Sequence, residues 1–217
     1  MTAIFQPAAN LFAKLSLLGL GCLVCGSIAW WWLWPRTDYV RHMLWPVEQP
    51  VPFSHQHHVA GLGIDCRFCH TTVETAANAG LPPTYTCMTC HSQIWTNAKL
   101  LAPVRESLAK SKPIVWHRVT DLPDYVYFDH SIHIAKGVGC SSCHGQVDRM
   151  PLTDKANSFT MGFCLDCHRD PGPQLRPQDQ IFNTEWHRTK DTPSPAALIA
   201  QYHVGGRTLT DCSICHR

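Results

Sequence analysis

Ten cysteines of this chain stand in five copies of one short pattern. They are Cys66, Cys69 and His70; Cys87, Cys90 and His91; Cys140, Cys143 and His144; Cys164, Cys167 and His168; and Cys212, Cys215 and His216. In C-x-x-C-H the two thiols can form thioether bonds to a porphyrin, and the histidine that follows can take its iron from the proximal side. A lone C-x-x-C is as often a zinc or dithiol pair. Neither of those chemistries has a reason to put a histidine after every second cysteine, so the repeated pattern predicts five covalently bound haems c. His70, His91, His144, His168 and His216 are then the proximal iron ligands.

Sixth ligands must come from elsewhere. Nine histidines lie outside the motifs: His42, His55, His57, His58, His117, His130, His133, His187 and His203. Two short stretches, Phe53-x-His55-x-x-His58 and Phe128-x-His130-x-x-His133, each precede an attachment motif. Histidines three apart lie about one helical turn apart on one side, so the pair can reach two different haems. His55, His58, His130 and His133 are therefore the expected distal ligands, and His57, which breaks the spacing, is expected to be a bystander. For the fifth iron, His117 ranks above Met161, which precedes Cys164 by three residues, with His187 and His203 next. The bland reading of these last residues is an exposed or hydrogen-bonded side chain.

The elements that position these groups follow from composition and repetition. The chain has 217 residues with 12 Cys, 14 His and 16 Pro but only 16% charged residues, the balance of a protein built around cofactors. A disulfide framework would leave the motif histidines unexplained. Cys22 and Cys25 are followed by Gly26 instead of histidine and lie in an apolar run, so they are not a sixth site. The formal charge of +2 gives no ground for a nucleic-acid partner, because haem propionates would offset it.

Two stretches correspond in order: F-x-H-x-x-H, a gap of seven residues (59 to 65) or six (134 to 139), an attachment motif, a longer gap, and a second motif. Residues 53–91 and 128–168 thus form an internal repeat with a period of about 75 residues, and 212–216 adds the fifth site. Helices are expected at Asn97 to Lys110, interrupted by Pro103, at Ser194 to Tyr202, and as short pieces carrying each proximal histidine. Elsewhere Pro82, Pro83, Pro151, Pro171, Pro173 and Pro177 favour extended loops. The fold class is mostly irregular and short α-helical, with porphyrins supplying much of the buried surface.

Ahead of the repeat, Leu15 to Trp34 is an apolar span of 20 residues without a charge, about 30 Å as a helix and enough to cross a bilayer. Trp30, Trp31, Trp32 and Trp34 crowd its far end like an interfacial aromatic belt. A cleaved signal would have a shorter apolar region and a small-residue exit, so a retained single-pass anchor is expected. Residues 1–36 are read as membrane anchor and 37–217 as a pentahaem domain. Covalent haem attachment takes place outside the bacterial inner membrane, which puts that domain on the periplasmic side.

Taken together, the anchor, FSHQHH, GIDCRFCH, CMTCHSQIW, LPDYVYFDHSIHIAKGVGCSSCHG, MGFCLDCHRDP and the terminal CSICHR resemble the pentahaem cytochrome c subunit of alternative complex III, a bacterial quinol:electron-acceptor oxidoreductase. The F-x-H-x-x-H units are similar to those of class III multihaem cytochromes c. The resemblance implies an electron-transfer subunit, not catalytic alone, that works beside iron-sulfur and integral-membrane subunits and passes electrons to a soluble cytochrome c, a copper protein or an oxidase. In that family a histidine often stands just before the Leu-Pro-Asp segment. Here Thr120 lies in that neighbourhood with His117 three residues earlier, leaving the fifth distal ligand open.

A competing function is a membrane-anchored quinol dehydrogenase feeding a periplasmic reductase. Against it, the span offers only Ser16, Ser27, Cys22, Cys25 and indoles for a quinone headgroup. A multihaem reductase of the nitrite type would carry a lysine in place of a motif histidine, and none of the five motifs does.

Overall fold

The structure, a computed structural model, describes residues 6–216. The start of the lead segment before the anchor and the last residue of the 37–217 domain lie outside the described residues. The chain divides into two units, the first ending at Met43 and the second running from Leu44.

The first unit is dominated by helix α1 (Pro7–Leu33), which opens with proline at its first turn, where the missing N–H costs nothing. The residues from Ala8 to Arg36 are long and apolar enough to cross a membrane. Leu11 to Leu33 are exposed on every side, and a helix apolar all round with no protein packed on it has the surface of a membrane span. At its far end Trp30 stacks on Trp34 with ring centroids 4.7 Å apart. The Arg36 guanidinium lies 3.7 Å from the Trp32 ring centroid and donates to the Trp32 carbonyl. Cation and indoles so close together suit a headgroup region.

The second unit consists of short helices and loops. Among the described residues there is no strand, and the only ladder-like pairings are isolated bridges, Val126 with His216 and Val138 with Leu175. All five attachment motifs fall on helices: α2 (Cys66–Cys69), α3 (Thr84–His91), α6 (Cys140–His144), α7 (Met161–Arg169) and α9 (Cys212–Cys215). Asp65 caps α2 by accepting from Arg67 N–H, and Thr160 caps α7 by accepting from Phe163 N–H.

Two further helices are scaffolding. Helix α4 (Ala102–Lys110) begins at the proline expected to interrupt it, because Pro103 sits in the first turn and opens the helix. Helix α8 (Pro195–Gln201) is capped by Ser194, whose hydroxyl accepts from Ala197 N–H.

Only a thin side-chain core holds this unit. One cluster joins Val51, Leu101 and Val104, with Cys87, Met88 and Trp116 packed against it. Another joins Val73, Ile134 and Ile181, with Cys140 and Phe182 alongside. Meanwhile Phe68, Tyr85, Ile94, Trp95, Ile132, Met161 and Ile214, all in or beside the attachment helices and histidine turns, remain exposed. Apolar side chains gathered at those places fit large apolar macrocycles as the missing part of the core.

Candidate haem sites

Each attachment helix does one local job. With cysteines three apart and a histidine one further on, a helical turn turns both sulfurs and the imidazole toward one side. Among the described residues all twelve cysteines are free thiols, and no group of three or more His, Cys, Asp or Glu converges as it would on a bare metal ion. Cysteine pairs and a histidine turned to one side suit a planar group inserted between them and a facing imidazole.

The histidine turns take different backbones. In the second half, α5 (His130–Ala135) is an α-helix whose N-cap Asp129 accepts from Ser131 and Ile132 N–H. In the first half, Gln56–Gly61 is a π-helix. The wider turn absorbs the one extra residue between the histidines and the first attachment motif. Both turns present the same aromatic support. Phe53 stacks on His58 at 4.4 Å and meets His55 edge-on at 5.0 Å. Phe128 stacks on His133 at 4.4 Å and meets His130 edge-on at 4.8 Å.

The histidines come together in pairs. Ring centroids are 6.3 Å apart for His58 and His91, 6.3 Å for His130 and His144, and 6.2 Å for His133 and His168. An imidazole nitrogen bound to a first-row metal lies about 2 Å from it, with the ring centre roughly 1 Å beyond, so two imidazoles facing each other across one iron have centroids about 6 Å apart. The three observed spacings match that requirement. His70, His58 and His144 all lie close enough to His55 to oppose its protonation.

Orientation is set by the other ring nitrogen. Nδ1–H donates to a backbone carbonyl in His58 (Ser54, 2.8 Å), His70 (Gly80, 2.7 Å), His91 (Ile94, 3.3 Å) and His130 (Ala77, 2.8 Å). It does the same in His133 (Asp129, 2.7 Å), His168 (Leu209, 2.7 Å) and His216 (Tyr125, 3.2 Å). His55 Nδ1 is 3.0 Å from the Thr153 hydroxyl. A carbonyl only accepts, so the proton sits on Nδ1 and Nε2 is left with its lone pair free for a metal. His57 is held differently: its backbone N–H donates to Ser54 Oγ, and its ring stacks on Trp95 at 5.7 Å.

Electrostatics favour the same protonation state. Burial, with help from His70, His58 and His144, pushes His55 down to about 4. Burial together with His130 and His70 pushes His144 down to about 4. Burial also lowers His58 and His133. Imidazoles kept neutral at physiological pH are in the form that binds metal. Burial and the neighbouring Cys167 and Cys164 raise Cys143 to about 11, keeping it a neutral thiol.

The candidates for the fifth distal ligand are scattered. His117 Nδ1–H donates to Glu48 carbonyl at 2.7 Å, and Gln49 bonds its backbone at both ends. Its neighbour Trp116 packs on the cluster that contains Cys87 and Met88, beside the second attachment helix. His216, by contrast, is bonded to Tyr125. Met161 is the first residue of α7 and is 62% exposed. His187 bonds the Glu185 carbonyl at 3.3 Å, and His203 has a left-handed backbone with φ 50. Among the described residues, no bond or ring contact brings any of the four to His216.

Sequence reasoning missed Arg176. Its side chain is only 4% exposed, donating to the carbonyls of Asn183 and Gln180 and the hydroxyls of Ser141 and Ser142, inside the third attachment motif. Nε has no partner. Any side chain at Gly139 would collide with the guanidinium, since a Cβ there would lie 2.2 Å from Cζ. In the sequence Arg176 is one arginine in a proline-rich loop, and nothing local marks it.

A strandless shell whose thin core is gathered around cysteine pairs and facing imidazoles is the architecture of a multihaem cytochrome c. No family model matches the chain. It is 34% identical over 201 residues, 90% of its own length and 87% of the other's, to the multihaem cytochrome c subunit of menaquinone reductase from Nitratidesulfovibrio vulgaris (strain Hildenborough). The chain belongs to that family of multihaem cytochromes c.

Proposed function

We propose that this chain carries five haems c and relays electrons between the quinone-reacting part of a membrane complex and a redox carrier on the periplasmic side. Cys66 and Cys69, Cys87 and Cys90, Cys140 and Cys143, Cys164 and Cys167, and Cys212 and Cys215 hold the five groups, with His70, His91, His144, His168 and His216 proximal. His55, His58, His130 and His133 serve as distal ligands. The observation that carries this reading is the set of histidine pairs 6.2 to 6.3 Å apart, each joining a motif histidine to one from an F-x-H-x-x-H turn. Once bound, a haem with two imidazole ligands exchanges one electron at a time. The chain's part is to hold neutral imidazoles at the sites, two of them at each of the first four, to exclude water with apolar side chains, and to anchor the whole through α1.

Residues 1–36 form the membrane anchor in this reading, and 37–217 the haem domain outside the bacterial inner membrane. The sequence pattern resembles alternative complex III, in which electrons run outward from quinol to a soluble cytochrome c or copper protein. The name of the relative, a menaquinone reductase subunit, favours a second reading in which the same relay runs inward, toward the quinone. Both directions need an integral-membrane partner to hold the quinone, because α1 offers few polar groups for a quinone pocket, and the resemblance adds iron-sulfur partners.

The test is the purified holo-chain and its complex. Intact mass should show five haem increments with Cys22 and Cys25 unmodified, and the ferric spectrum should be low-spin. The single chain should be reduced by small reductants yet show negligible quinol oxidation until its partners are restored. Steady inhibitor-sensitive quinol turnover by the single chain would overturn the relay reading in favour of a quinol dehydrogenase. Reducing menaquinone with a periplasmic donor, against oxidising menaquinol, separates the two directions.

A further inference from the structure

The ligand and attachment residues join the sites in one sequence that differs from their order along the chain. The sites are numbered here by attachment motif, from the one at Cys66 to the one at Cys212. His55 and His58 stand on one turn, with His55 next to His70 and His58 facing His91, so that turn bridges the first and second sites. Cys69 and Cys87 are electrostatic neighbours across the same gap. His130 and His133 likewise face His144 and His168 from one turn, bridging the third and fourth sites. Cys143 has Cys167 and Cys164 as its neighbours there.

The two halves meet through the first and third sites. The Cys66 and Cys140 thiols are close neighbours, each shifting the other's protonation, and Cys140 packs on the cluster that holds Val73, just past the first motif. Both the backbone N–H and Nδ1–H of His130 donate to the Ala77 carbonyl, just beyond the first motif, at 3.1 and 2.8 Å. His55, in the first half, is bonded to Thr153 of the second. The fifth site joins at the other end. His168 donates to the Leu209 carbonyl, just before the fifth motif, at 2.7 Å. The Tyr127 N–H donates to the Cys215 carbonyl at 2.8 Å, and Cys164 has Cys215 as a neighbour.

We propose that the chain strings its sites in the unbranched order second, first, third, fourth, fifth, with the second and fifth sites as the ports where outside partners exchange electrons. This inference rests on the five-haem reading above. Two turns with histidines three apart set the pairs, one sulfur-to-sulfur contact joins the pairs, and the C-terminal addition lengthens one end. The first, third and fourth sites are interior, each lying between two neighbours. Chain order, by contrast, would put the first and fifth sites at the ends.

The test is to locate the irons in the holo full-length protein within its complex, by anomalous diffraction at the iron edge or by cryo-electron microscopy, each assigned through its attached cysteines. The expected result is five irons whose shortest path visits the sites in the stated order, with only the second and fifth having a single near neighbour. A path with the first or third site at an end, or a branch, overturns the order while leaving the five-haem reading intact. Fewer than five irons in fully matured protein overturns that reading instead. In solution, removing the terminal second site with Cys87→Ser and Cys90→Ser should leave the fourth and fifth sites' redox midpoints unchanged. Removing the interior first site with Cys66→Ser and Cys69→Ser should cut the second site's midpoint off from the state of the third. An unchanged link between the second and third sites in that variant would contradict the order.

Discussion

The two halves of the repeat use different backbones to reach the same side-chain geometry. In the first, the histidine turn is a π-helix and the residue before His55 is Ser54. In the second it is an α-helix capped by Asp129. Yet the Phe-on-His stack is 4.4 Å in both, and the second histidine of each turn donates Nδ1–H to the carbonyl four residues back, at 2.8 and 2.7 Å. What is held constant is the placement of two Nε2 atoms, and the helix type is adjusted to deliver it. The halves differ more in what surrounds them. Arg176 and the Ile134–Ile181 cluster sit beside the third site, while the second site leans on α4 through Val51, Leu101 and Val104.

If the halves are equivalent as ligand carriers, the largest effects should be equal between them. Replacing His55, His58, His130 or His133 with alanine should each open one iron, seen as a high-spin signal and new carbon monoxide binding with all haems still attached. His57→Ala should leave the spectrum low-spin. A His57 variant that behaves like His58→Ala would show that the π-turn delivers a different residue than the α-turn does.

The next effect should break the symmetry. Arg176→Met removes hydrogen bonds from buried carbonyls and should cost about 2 kcal/mol in stability. It should also lower the midpoint of the third site alone, because a nearby buried cation favours the more negative, reduced iron. An unchanged set of midpoints would reduce Arg176 to a structural role.

Smaller effects sharpen the likeness. Phe53→Leu and Phe128→Leu should each cost about 1 kcal/mol, the worth of an aromatic stack, and by similar amounts in thermal unfolding. Asp129→Ala should lower the melting temperature more than Ser54→Ala, since Asp129 receives two helix N–H groups and Ser54 Oγ only one.

Acid should act on both halves together. His55 and His144 are held near 4 in the fold, whereas a released histidine takes up its proton near 6.5. The folded state therefore binds fewer protons between those values, and stability present above about 6.5 is lost as pH falls toward 4. In the haem-loaded protein iron competes with the proton for the same imidazoles, so a pH titration of the low-spin absorbance should show its loss on the acid side, at or below that window.

Much of the site was legible because covalent haem attachment is a local rule. Cys140, Cys143 and His144 must stand within one turn whatever the rest of the chain does, so spacing alone named them. The apolar run that became α1 was legible as well, and the structure brings His58, His130 and His133 of the F-x-H-x-x-H turns opposite motif histidines. Pro103 was misjudged as an interruption because a pattern window cannot tell the first turn of a helix from its middle. The fifth distal ligand stayed open because His117, Met161, His187 and His203 have no motif that ties them to His216.

The sequence by itself determined the class of chemistry, since C-x-x-C-H motifs mark a multihaem cytochrome c wherever the loops run. Only the tertiary structure decided which histidine faces which, that Cys66 meets Cys140, and that a lone arginine from a proline-rich loop is buried against Ser141 and Ser142. Attachment needs residues three or four apart, which a linear pattern records. Pairing depends on loops of tens of residues closing on one another, and on backbone carbonyls such as those of Ala77, Gly80 and Leu209, which carry no side-chain identity for a sequence to display.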